Sequence, residues 1–134
     1  MLNILLEENK ENKAEVFKKA NVELKESRFL IKAFSQNEVY GYIIFEVNAN
    51  CEKNDKNNNK SEITVLYLKF NDEAIADGLI RTVLHIAEER NILSVKAFNN
   101  INSEGFNIIK KLGFLKDENS YELKILSFMK KCGN

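Results

Sequence analysis

The most constraining feature of this chain is a stretch in which two apolar strand patterns bracket one long amphipathic helix with almost no connecting residues. Residues 63–70 (ITVLYLKF) are β-branched and aromatic, apolar enough for a central sheet position covered on both faces. Over residues 71–90 the period changes to that of a helix. Ile75, Leu79, Val83 and Ile86 form one stripe, widened by Ala76, Ile80, Leu84 and Ala87. Asn71 or Asp72 supplies an N-cap, Arg90 a basic last turn and Asn91 a stop. Residues 92–98 (ILSVKAF) then read as strand again. Strand, helix and strand with such short links form a right-handed crossover whose strands are parallel neighbours.

The rest of the chain adds antiparallel elements to this unit. Leu2, Ile4 and Leu6 alternate into a short first strand, and residues 10–20 form a helix with Ala14, Phe17 and Ala20 on one stripe. Residues 28–34 (RFLIKAF) and 39–47 (VYGYIIFEV) flank the polar turn 35–38 and read as an antiparallel hairpin. Residues 48–61 (NANCEKNDKNNNKS) carry too little apolar surface to offset the entropy of ordering them, which predicts a mobile loop. A short helix over 103–112, through Phe106, Ile109 and Leu112, ends at Gly113, which suits a left-handed C-cap. Residues 115–116, a polar turn at 117–120 and residues 121–128 (YELKILSF) make a closing hairpin. The expected architecture is one α/β (α+β) domain over residues 1–134: a mixed, mostly antiparallel sheet with a central parallel pair, flanked by helices.

Composition narrows the class. A chain of 134 residues is one domain of ordinary size. Twenty basic residues offset twenty acidic ones, so the basic footprint of a nucleic-acid binder is missing. The longest apolar run falls well short of the roughly 20 residues a membrane span needs, and the acids Glu7 and Glu8 follow the apolar start where a signal peptide would continue. Two cysteines do not make a disulfide scaffold. The expectation is a small cytoplasmic protein bound to neither nucleic acid nor membrane. Its excess of Lys and Asn matches AT-rich codons, as in a low-GC bacterium.

Little in the chain announces chemistry by itself. His85, the one histidine, shares a helix face with Arg81, Glu88 and Glu89, opposite the apolar stripe, and reads as a solvated surface residue. Cys51 and Cys132 lack the spacing of a zinc or dithiol site. Glycine-rich phosphate loops are absent. The informative place is the junction where strand 63–70 runs directly into the helix. The first turn of a helix exposes backbone N–H groups and a positive dipole end, which favour anions, and it lies beyond the carboxyl end of a strand.

On these residues the chain resembles the acetyl-coenzyme-A-binding half of the GNAT family of N-acetyltransferases. The family's Q/R-x-x-G-x-G/A turn falls on Asn71, Asp72, Glu73, Ala74, Ile75 and Ala76. Ala76 satisfies it, while Asn71 and Ala74 are substitutions. The family's N-x-x-A-x-x-L-Y-x-K-x-G-F matches at Asn102, Lys111, Gly113 and Phe114, with Ile108 for Leu, Gly105 in the Ala place and Ile109 where the family has Tyr. The resemblance spans residues 28–128 in element order.

The resemblance implies acetyl-CoA as cosubstrate, lying between strands 63–70 and 92–98. Its pantetheine arm would pair with backbone at Leu68, Lys69 and Phe70, and its pyrophosphate would meet the amides of Glu73, Ala74, Ile75 and Ala76. Asn102 would hydrogen-bond the pantetheine. The implied activity is direct acetyl transfer to a primary amine of a small molecule or peptide, by a chain for which a homodimer is compatible. The alternative is a catalytically inactive domain of the same fold that binds coenzyme A or another protein.

No catalytic residue is assigned: Tyr40, Tyr42 and Tyr67 are candidate acids, and Glu46 and Glu62 candidate bases. The turn departs from the family in lacking glycine, which lets backbone approach a phosphate closely. Asp72 and Glu73 add two negative charges there. Like charges about 4 Å apart repel by roughly 1 kcal/mol in water and about 4 kcal/mol at an effective dielectric of 20.

Overall fold

A computed structural model describes residues 2–48, 62–92, 94–98, 115–117 and 120–124. In chain order the elements are β1 (Asn3–Leu6), α1 (Lys10–Ala20), β2 (Arg28–Ser35), β3 (Glu38–Asn48), β4 (Glu62–Phe70), α2 (Glu73–Glu89), β5 (Ser94–Phe98), β6 (Leu115–Asp117) and β7 (Ser120–Lys124). The strands form one seven-stranded sheet in the order β1-β2-β3-β4-β5-β7-β6, with β4 at its centre. β4 and β5 run parallel, and every other neighbouring pair is antiparallel. This is the mixed sheet with a central parallel pair that the alternation and the crossover require.

Local chemistry sets the boundaries. Helix α1 starts because the Asn9 side chain accepts the Asn12 N–H, and it stops at Asn21, which adopts φ 58°. The β2–β3 turn is tighter than the sequence suggests. Ser35 and Glu38 still pair, so only Gln36 and Asn37 lie between the strands, with Gln36 at φ 56°. Strand β5 begins later than expected, at Ser94, because the Ile92 N–H donates to the Ala87 carbonyl at 2.8 Å and completes the exit from α2. Of the loop expected over residues 48–61, Asn48 instead ends β3, paired with Glu62; residues 49–61 with Cys51, Asn102, the expected helix 103–112 and Cys132 lie outside the described residues.

Two apolar clusters occupy the two faces of the sheet. On one, Ile75, Ala76, Leu79, Ile80, Val83, Leu84 and Ala87 of α2 are buried against Ile31, Ala33, Ile43, Phe45, Ile63, Val65 and Leu68. Burial of each large aliphatic side chain contributes roughly 1.5–3 kcal/mol. On the other face, Phe17 of α1 packs with Leu30, Tyr42 and Ile44. Asn48 closes the far end of β3 by donating to the buried Thr64 hydroxyl at 3.2 Å. Among the described residues, no helix is long and apolar enough to cross a membrane.

Candidate functional site

The central strand changes phase in its middle. Ile44 of β3 pairs with Tyr67, but the next residue, Phe45, pairs with Val65, so Leu66 is an extra residue in β4. Such a bulge bends the strand and increases its twist. Ile63, Val65 and Leu68 therefore share the α2 face, while Leu66 and Tyr67 pack towards α1. The parallel ladder to β5 ends at the same place, running from Glu62↔Ser94 to Val65↔Ala97. Beyond Val65, the edge of β4 that faces away from β3 has no ladder partner among the described residues. Unpaired N–H and C=O groups on a strand edge suit an extended, amide-bearing ligand, which pairs as an added strand would. The pantetheine arm of coenzyme A is such a group, and Leu68, Lys69 and Phe70 lie on this segment.

The helix turn is less accommodating. The chain leaves β4 pinned by the Asn71 N–H, which donates to the Tyr40 carbonyl at 3.0 Å. Asp72 then caps α2: its carboxylate accepts the Ile75 N–H at 3.0 Å, and its carbonyl accepts the Ala76 N–H at 3.2 Å. Two of the four amides at positions 73–76 are thus engaged within the helix, and the Ile75 and Ala76 side chains are buried in the core. Glu73 and Ala74 stay exposed on the first turn. The Asp72 carboxylate that suits the helix dipole is also the charge an approaching diphosphate would meet.

A cleft of about 390 Å³ opens on the α1 side, between α1 and strands β2, β3 and β4. Its walls include Glu15 and Val16 from α1, Lys32 from β2, Tyr40 and Tyr42 from β3 and Lys69 from β4. Lys32 forms an ion pair with Glu7 at 2.8 Å, both side chains being largely covered. Burial alone would push the Glu7 carboxyl up. The Lys32 ammonium, with help from Asn12 and the Asn9 backbone, outweighs it and holds the carboxyl below the usual range. Tyr42 and Tyr67 stack with ring centroids 5.7 Å apart. Burial, followed by the neighbouring Tyr67, pushes the Tyr42 hydroxyl up, so it stays protonated at neutral pH. Tyr40 is also raised, because its hydroxyl donates to Glu38 at 3.1 Å beside that carboxylate's charge.

The candidate bases lie elsewhere. Glu46 accepts from Arg28 Nε at 3.0 Å and from Ser27 Oγ at 3.1 Å, and Glu62 pairs with Lys96 at 3.3 Å. His85 is exposed on α2, with Nε2 3.1 Å from Glu89, in keeping with a solvated surface residue. No group of three or more potential metal ligands occurs among the described residues.

Periodicity alone did not foresee the cleft or the Leu66 bulge, although a signal for the bulge exists. Strict alternation from Ile63 would carry Lys69 onto the same buried face, and one extra residue removes the conflict.

Neither a protein-family model nor a curated protein matches this sequence. Solved structures do match its architecture. The ribosomal-protein-S18-alanine N-acetyltransferase of Escherichia coli superposes with a TM-score of 0.66 at 12% identity, over 93% of this chain and 94% of that one. A GNAT-family protein from Desulfovibrio desulfuricans gives a TM-score of 0.67 at 10% identity, over 93% and 99%. PaiA N-acetyltransferase from Thermoplasma acidophilum, solved with coenzyme A, gives 0.55 at 22% identity, over 81% of this chain and 65% of that longer one. The chain has the GNAT acetyltransferase fold.

Proposed function

We propose that this chain is an acetyl-CoA-dependent N-acetyltransferase acting on a primary amine. The observation that carries the proposal is the end of the β4–β5 ladder at Val65↔Ala97, which leaves residues 66–70 of β4 with an edge suited to the pantetheine arm. The bound coenzyme supplies an activated acetyl thioester. Leu68, Lys69 and Phe70 would hold its amide-bearing arm through their backbone, and Glu73 and Ala74 would face its diphosphate, with Ile75 and Ala76 behind them.

In the transfer, a neutral amine attacks the thioester carbonyl once its ammonium has given one proton to water. The C–N bond forms, the C–S bond breaks, and the second amine proton ends on the departing thiolate. The cleft on the α1 side is where the amine would wait. Tyr67 is one residue from Leu68 on β4, and Tyr42, stacked against it, keeps its proton, so this pair is the proposed relay of a proton to the thiolate. Much of the acceleration in such a reaction comes from alignment of the two reactants.

The Asp72 cap favours a second reading, a domain of this fold that does not turn over. One pair of measurements separates the two. Acetyl-CoA at about 100 times its dissociation constant adds about 2.7 kcal/mol of stability, read as a thermal shift. Thiol release against a panel of amines then reads turnover. A shift with thiol release supports the enzyme, a shift without it supports a silent domain that still binds the coenzyme, and no shift at millimolar acetyl-CoA overturns the enzyme reading and leaves the silent one.

A further inference from the structure

Resting on the transferase reading, we propose that the acceptor is a free α-amino acid with an apolar side chain, its carboxylate held by Lys69. The cleft, at about 390 Å³, is in the range that encloses a small molecule. Its charges are unevenly committed. Lys32 is bound to Glu7 at 2.8 Å, with the two side chains only 20% and 15% exposed, and Lys19 and Glu15 neutralise each other on α1 at 3.6 Å. Lys69 stands exposed on the β4 wall and has no acidic partner among the described residues. Among the described residues, the uncommitted charge of the cleft is therefore one cation beside Leu68, on the segment where the acetyl group would arrive.

A carboxylate at Lys69 brings the amine on its own α-carbon next to β4, which couples recognition to the alignment the transfer needs. A polyamine would instead set a second cation beside Lys69, and an amide would leave the ammonium without its counter-charge. Val16 and Tyr42 give the cleft an apolar wall continuous with the Phe17, Leu30 and Ile44 cluster, suited to an uncharged side chain. The products are the N-acetyl amino acid and coenzyme A, with the proton lost by the ammonium passing to water.

The test compares leucine, leucinamide and spermidine as acceptors for the full chain with acetyl-CoA, by thiol release. The expected kcat/KM for leucine is at least 10-fold above that for leucinamide. Lys69→Met should bring the ratio near one, and Lys69→Glu should invert it in favour of leucinamide and spermidine. A wild type that prefers leucinamide or spermidine, or a Lys69→Met variant that keeps the leucine preference, overturns the proposal. Calorimetry with coenzyme A alone, on each variant, separates this outcome from failure of the transferase reading. Should no amine release thiol, N-acetylleucine titrated against the protein by NMR still decides the carboxylate site. Resonance shifts around the cleft that are lost in Lys69→Met support it, and their absence in the wild type overturns it.

Discussion

Gly41 and Gly78 offer a paired test of how tightly the site is built. A Cβ at Gly41 would lie 2.6 Å from the Lys69 carbonyl oxygen, 2.9 Å from Ile75 Cγ2 and 3.1 Å from Phe70 Cα. Carbon atoms in contact prefer about 3.5–4.0 Å, so the end of β4 and the start of α2 would both have to retreat. Two of the three obstacles are backbone, which no rotamer change relieves. Overpacking of this kind costs about 1–3 kcal/mol, and the fixed obstacles place Gly41→Ala in the upper half of that range. At roughly 3–5 °C per kcal/mol for a chain of this size, the melting temperature should fall by about 6–15 °C. Gly78→Ala is the control. Its Cβ meets only Ile4 Cδ1, at 2.8 Å, the free end of a side chain on β1. A rotamer cost of about 0.5–1.5 kcal/mol there opposes a helix-propensity gain of about 0.5–1 kcal/mol, for a net change within about 1 kcal/mol. Urea denaturation of the three proteins gives the answer. Equal losses at both positions, or an unaffected Gly41→Ala, would refute the packing argument.

Three further outcomes follow from the same geometry. Asp72→Asn keeps an N-cap of equal rank while removing a charge from the helix start, so stability should hold. Coenzyme A should bind about 5-fold tighter in calorimetry, the equivalent of roughly 1 kcal/mol of relieved repulsion; unchanged affinity would place the diphosphate elsewhere. The Glu7 carboxyl is held below its unfolded value, so its contribution to stability is complete above the usual carboxylate range near 4.3 and disappears as pH falls through its lowered folded value. Glu7→Gln should cost about 1 kcal/mol at neutral pH and flatten that part of the acid limb, as read by denaturation midpoints between pH 3 and 7; a parallel shift of the whole curve would contradict it. Tyr42→Phe keeps the ring stack with Tyr67 and removes only the hydroxyl, so it should lower kcat more than acetyl-CoA affinity. An unaffected kcat would dismiss Tyr42 from the proton path.

Much of this architecture can be read from residue order, because its strongest signals are local. The helix stripe from Ile75 to Ala87, the cap at Asn71 or Asp72 and the β-branched strands all depend on neighbours a few positions away. The turn at Gln36 was harder, since a non-glycine residue at positive φ leaves little compositional trace. The cleft was hidden altogether: Glu15, Lys32, Tyr42 and Lys69 come from four elements, and their meeting depends on how α1 seats on the sheet. The Glu7–Lys32 pair joins residues 25 positions apart for the same reason. Asp72 was legible as a cap, but the engagement of the Ile75 amide that follows from it needed coordinates.

The most direct measurement of the central claim is backbone hydrogen exchange across residues 66–70, with and without acetyl-CoA. If the pantetheine arm pairs with this edge of β4, amides pointing away from β3 should slow markedly on binding, while those already paired to β3 change little. Binding that leaves residues 66–70 exchanging as before, or protects only a distant segment, would contradict the account.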